Sequence, residues 1–124
     1  MAFILGGLGY MFPEKIGILG AEYRIIVFPY DDPDLHEEDR VGYCSPYTKK
    51  IIISDFEDWT DKTAAKEAQK QILRHEITHA FLFESGLGYN SNQSEAWAIN
   101  EEMVDWISWK GPQLNEIWKE AGCV

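Results

Sequence analysis

The stretch Arg74-His75-Glu76-Ile77-Thr78-His79-Ala80-Phe81-Leu82-Phe83-Glu84 decides how this chain is read. Upstream of it, Ala64, Ala65, Ala68, Ile72 and Leu73 recur at helical spacing, and the alanines, lysines and glutamines between them favour helix. Thr60 or Asp61 can serve as N-cap, and Gly86 and Gly88 stop the run, so one helix is predicted from about residue 61 to Glu84. Within it, His75, Glu76 and His79 form His-Glu-x-x-His. Residues four apart project from one helix face about one turn apart. Two neutral imidazoles at that spacing can bind one Zn²⁺. Glu76 is placed to take a proton from a water activated by the metal, rather than to ligate it. Two of the three histidines of the chain are here, where the helix turns apolar and an idle polar group is costly.

A catalytic zinc usually has three protein ligands and one open position, so a third ligand is sought downstream. Asn92-Gln93-Ser94-Glu95 resembles a capping box, with Asn92 as N-cap. From there a helix is predicted to Lys110, with Ala96, Trp97, Ile99, Met103, Val104, Trp106 and Ile107 as its apolar set. Gly111-Pro112 is expected to end it, and Leu114 to Ala121 to form a short last helix. Glu101 and Asp105 share one face of the longer helix. Glu101 would complete the coordination. Asp105 would accept the free ring N–H of a ligand histidine and fix its tautomer. Helical phase alone leaves Glu101 and Glu102 both open, since each borders the apolar stripe. Asn100 points into that stripe, which implies a hydrogen-bonded role.

The strands come before the helix. Ala21 to Phe28 holds Tyr23, Ile25, Ile26, Val27 and Phe28 and is ended by Pro29, the pattern of a strand. Val41 to Tyr47 and Lys49 to Ser54 read as two strands around a Ser45-Pro46 turn. The run Ile51-Ile52-Ile53 suggests a strand buried on both faces, though the same strand could offer an edge to an extended peptide. Asp31 to Asp39 reads as an exposed acidic loop with a solvated His36. Residues Met1 to Pro13, with Gly6, Gly7 and Gly9, are compatible with a short strand or a loop. The expected fold is α+β. A small mixed or antiparallel sheet packs on the His-Glu-x-x-His helix, and a second helix carries the third ligand, all in one domain over residues 1–124.

The composition narrows the partners. With 124 residues, 45% hydrophobic and 14% aromatic, the chain can bury a modest core. Its formal net charge of −10 opposes binding to phosphate backbones and anionic lipid, and it has no basic patch or zinc-ribbon cysteine set. No nucleic acid and no membrane is therefore expected as a partner. Cys44 and Cys123 make no disulfide framework, which points to a reducing compartment. The apolar run before Gly20 lacks a basic lead and is interrupted by Glu14 and Lys15, so neither a signal peptide nor a span is read there, and a cytoplasmic location is expected.

The chain resembles the gluzincin, thermolysin-like zinc metallopeptidases. In that family the active-site helix carries His-Glu-x-x-His and a later helix supplies Glu, commonly in an Asn-Glu-x-x-x-Asp setting. Asn100-Glu101-Glu102-Met103-Val104-Asp105 matches the second pattern. The resemblance covers about residues 63–108, and in size the chain is similar to minimal, short zincin-like proteins of phages and mobile elements. It implies a peptidase acting on a peptide or protein substrate, with one Zn²⁺ held by His75, His79 and Glu101, Glu76 as general base, and Asp105 behind a ligand histidine, by analogy His75. The histidine or tyrosine with which the family steadies the intermediate has no clear counterpart; Tyr43, Tyr89 and His36 are the candidates. A zincin-like module that binds metal or protein without turnover is the alternative.

Overall fold

Ile51, Ile52 and Ile53 lie inside a sheet, each at most 2% exposed. A computed structural model describes residues 2–5, 11–86 and 101–124, except for the side chains of residues 101–105 and 108. The elements are β1 (Phe3–Leu5), β2 (Met11–Pro13), β3 (Lys15–Ile18), β4 (Ala21–Phe28), α1 (Pro33–His36), β5 (Gly42–Ser45), β6 (Lys50–Ser54), α2 (Lys62–Glu84) and α3 (Glu101–Glu120). The fold of the described residues is α+β, with two sheets and three helices.

β1 and β2 form an antiparallel pair. The main sheet is mixed, in the order β3-β4-β6-β5. β6 runs parallel to β4, with Ile25 opposite Ile51, and antiparallel to β5, with Gly42 opposite Ile53 and Cys44 opposite Ile51. The isoleucine strand is therefore central, as its uninterrupted apolar run suggests. The peptide-binding edge considered for Lys50 to Ser54 does not exist, because both sides of that strand are paired. The edge of the sheet beside the helix is β5.

The sheet face toward α2 holds Ile51 and Ile53, which share one buried cluster with Tyr23, Ile25, Leu73, Ile77, Ala80 and Phe81. Ile52, on the alternate face, is buried outside that cluster, as is Leu35 of α1. Leu35 explains why Asp31 to Asp39 is not simply a loop. Asp32 caps a single turn by accepting from the Asp34 N–H at 3.0 Å, and the turn carries one apolar side chain inward. β3 was also not legible. Its four residues include Gly17, and it is defined by a two-residue turn at Leu19 and Gly20, both at positive φ (48° and 88°).

Helix α2 begins as the sequence predicts. The Asp61 carboxylate accepts from the Ala64 N–H at 3.0 Å. Its buried positions, Ala65, Gln69, Leu73, Ile77, Ala80 and Phe81, form one stripe. Gly86, at φ 85°, follows the C-cap. Helix α3 departs from expectation: it continues through Gly111 and Pro112 to Glu120 without a break. Proline removes one intrahelical hydrogen bond and crowds the preceding turn. Burial on its C-terminal side offsets this, since Ile117 and Ala121 are in the core and Leu114 and Trp118 pack against it. Arg74 donates to the Cys123 carbonyl, which ties the segment after α3 to the residue preceding His75. The predicted start of this helix near Asn92 lies outside the described residues.

The C-terminal end of α2 is pinned to the sheet through one carboxylate oxygen. Glu84 Oε2 accepts from the Tyr23 hydroxyl at 2.7 Å and from Lys49 Nζ at 2.6 Å. Burial alone would raise the Glu84 carboxyl, but the hydrogen bonds from Lys49 and Tyr23 outweigh it and hold its pKa below the ordinary value. A carboxylate lowered in this way stabilises the fold above the unfolded value of about 4.3. The contribution is lost as pH falls through the folded value. Glu84→Gln is thus expected to cost about 1–3 kcal/mol at neutral pH in urea titration. The gap from wild type should close on acidification. A gap of constant size across that acid range would assign the effect to packing instead of charge.

Candidate metal and catalytic site

At about 100° per residue, His75 and His79 lie on the α2 face away from Ile77, and Glu76 falls between that face and the core stripe. The outcome is unequal burial. Glu76 is 6% exposed, whereas both histidines are exposed. The expectation that the histidines sit at a costly apolar position is corrected accordingly: they face an open groove, and the carboxylate between them is the buried group.

The two imidazoles converge. Their Nε2 atoms are 3.1 Å apart, with ring centroids separated by 4.7 Å and planes crossed at 76°. Two nitrogens on a tetrahedral zinc, each about 2.0–2.1 Å from the ion, would stand roughly 3.3 Å apart. The pair therefore needs little adjustment to chelate. Donor atoms of His75, Glu76 and His79 all lie within 4.8 Å of one another, and among the described residues this is the one group of three able to hold a metal ion. Although His79 is exposed by surface area, partial desolvation of its ring, with the charge of the neighbouring His75, lowers its pKa, which favours the neutral, ligating form. Burial raises the Glu76 carboxyl pKa, against the opposing charges of His75 and Arg40.

β5 supplies the facing wall. Gly42 is essential to its approach: a Cβ there would stand 2.7 Å from Ile72 Cγ2, 3.0 Å from the Ile52 carbonyl oxygen and 3.5 Å from Glu76 Oε2. The edge strand can lie against the turn of α2 that carries Glu76 because residue 42 has no side chain. Sequence reasoning passed over Gly42, although a glycine within a strand pattern is a signal of close backbone approach. Between β5 and α2 lies a cavity of about 740 Å³, lined by His75, Glu76 and His79 with Arg40, Cys44, Tyr47 and Phe83 among its walls. Burial, and then the Glu76 and Glu84 charges, push the Cys44 thiol up to about 12, so it stays protonated at neutral pH.

The other predicted residues are less fully placed. Glu101 opens α3, and Glu102 and Asp105 follow in its first turns, but their side chains are outside the described set. Asn100 and Tyr89 lie outside the described residues. Tyr43 is on β5 and lines the groove with His75, Glu76 and His79, while its hydroxyl makes a long contact of 3.5 Å with Asp34 Oδ2, on the α1 side. His36 lines a second cavity of about 390 Å³, which shares Arg40 and Gly42 with the first. α3 does run beside α2. Trp106, five residues after Glu101, meets Phe81, two residues after His79, edge to face at 5.3 Å.

Comparison with protein-family models, with curated proteins and with solved structures finds no match to this chain. No helix of the described residues is long and apolar enough to cross a membrane.

Proposed function

We propose that this chain is a zincin-like, zinc-dependent metallopeptidase, with the ion held by His75, His79 and Glu101. The observation that carries the reading is the convergence of the two Nε2 atoms, 3.1 Å apart, beside a buried carboxylate in an open groove. The assignment of Glu101 as third ligand rests on the Asn-Glu-x-x-x-Asp pattern of residues 100–105. Asp105 would accept a ring N–H of His75.

Zinc, when bound there, supplies a Lewis acid that acidifies water and polarises a carbonyl. Glu76 takes the proton of the attacking water and returns it to the leaving amine. Its buried place at the wall of the groove, beside both histidines, positions it for the two transfers. The edge of β5, unpaired among the described residues, offers backbone N–H and C=O groups to an extended peptide by strand addition. Both cysteines are free, in keeping with work in a reducing compartment such as the cytoplasm. The orientation of Tyr43 toward Asp34 favours a second reading, a metal- and peptide-binding module without turnover.

Elemental mass spectrometry of untagged protein tests the metal set. One zinc per chain is expected in wild type, with loss in His75→Ala, His79→Ala and Glu101→Ala. Retention in Glu101→Ala alone would move the third ligand to Glu102 or Glu95. Absence of metal in wild type offered zinc would sink both readings. Zinc-dependent cleavage of unstructured proteins then separates the enzyme from the binding module.

A further inference from the structure

Arg40 stands at the junction of the two cavities along β5, two residues before Gly42. Its guanidinium carbon lies 3.9 Å from the centroid of the Tyr43 ring, and its Nε donates to the Asp34 carbonyl at 2.9 Å. These two contacts hold the plane of the group and leave the outer nitrogens for a ligand. The chain has 21 acidic and 11 basic residues, so most cations find a carboxylate close by. Lys15, Arg24, Lys49, Lys62 and Lys119 each do. Arg40 makes no direct ion pair with a described carboxylate: its charge reaches the Glu76 carboxyl across the groove only at longer range, and the nearby Asp34 carboxylate is turned to the Tyr43 hydroxyl. At the other end of the groove, Tyr47 and Phe83 pack edge to face at 5.3 Å beside Leu82, and Tyr47 is 76% exposed.

We propose that Arg40 forms a carboxylate-accepting subsite of the groove, so that the preferred ligand is an extended peptide carrying a carboxylate at the Arg40 end and an apolar side chain at the Tyr47–Phe83 end. This rests on the reading of the groove as a peptide site. A planar, fixed guanidinium matches a carboxylate with two parallel hydrogen bonds. β5, which lies between Arg40 and Tyr47 in the chain, covers three residue steps, roughly 10 Å, and an extended octapeptide is long enough to exceed that span. The carboxylate can be an acidic side chain or the C-terminus of the peptide, and the chemistry at Arg40 is the same.

The test uses zinc-loaded Glu76→Gln protein, which binds without turnover, and fluorescein-labelled octapeptides of alanine, leucine and phenylalanine. One series exchanges Gln for Glu at successive positions; the other exchanges a C-terminal amide for the acid. Fluorescence anisotropy is read at about 0.15 M salt, where repulsion from the acidic surface is screened beyond ~8 Å. One carboxylate position should bind about fivefold tighter than its neutral counterpart. Which series shows it identifies the source. The preference should vanish in Arg40→Gln, weaken in Arg40→Lys and persist in Lys15→Gln, a remote cation on β3. Equal affinity for acid and neutral peptides, an unchanged preference in Arg40→Gln, or no peptide binding at all would overturn the subsite. Wild-type cleavage is followed in parallel. Cleavage without carboxylate preference removes the subsite and keeps the peptidase; Arg40-dependent binding without cleavage does the reverse.

Discussion

Glu76→Gln is expected to keep its zinc and lose peptide hydrolysis by a factor of about 10²–10⁴, the usual worth of a positioned general base. The amide has nearly the same shape as the carboxylate, so packing between the helix face and Gly42 is preserved. It cannot accept and return a proton. Burial at 6% exposure makes the charged form costly, so a neutral amide should not weaken the fold. The thermal midpoint of the variant should equal or exceed that of wild type. The combination of retained metal, retained fold and lost turnover separates a base from a ligand, because His79→Ala should lose turnover together with metal. A Glu76→Gln protein that cleaves at the wild-type rate would remove Glu76 from the chemistry.

The second large effect should come from one methyl group. Gly42→Ala places a Cβ 2.7 Å from Ile72 Cγ2 and 3.0 Å from the Ile52 carbonyl oxygen. Either the edge strand or the helix must yield, at a cost of about 1–3 kcal/mol for an overpacked contact. Turnover should fall further than stability does, since the displaced turn of α2 carries Glu76. Ile72→Ala removes the nearer obstacle and should restore part of both losses in the double variant. The backbone oxygen of Ile52 remains, so rescue should be incomplete. A Gly42→Ala protein as stable and active as wild type would mean that β5 does not set the position of Glu76.

The parts of this fold that were legible in the sequence are those set by local chemistry. Asp61, the alanine-rich run and Gly86 define α2 through caps and spacing, and each acts on backbone within a few residues of itself. The strand over Ala21 to Phe28 is found as predicted, because its β-branched and aromatic residues end at Pro29. Features set by distant partners were not legible. The continuation of α3 through Pro112 depends on the core around Ile117 and Ala121, which no local rule at residue 112 contains. The burial of β6 was legible in its three isoleucines, but its parallel partner β4, more than twenty residues away, was not. The pair His75 and His79 was legible because helical periodicity fixes it. The third ligand was not fixed, since Glu101 and Glu102 differ only by a helical phase that borders the same stripe.

The two thiols described above occupy different depths. Cys44 lines the groove and is half-buried, while Cys123 is fully buried at the segment clasped by Arg74. Burial holds both protonated, at about 12 and about 11. A thiol reagent can reach Cys44 through the groove, but it reaches Cys123 when the clasp opens. The molecule thus carries two internal clocks. Alkylation of the first should keep time with occupancy of the groove, and alkylation of the second with release of the C-terminal segment from Arg74, the residue before His75.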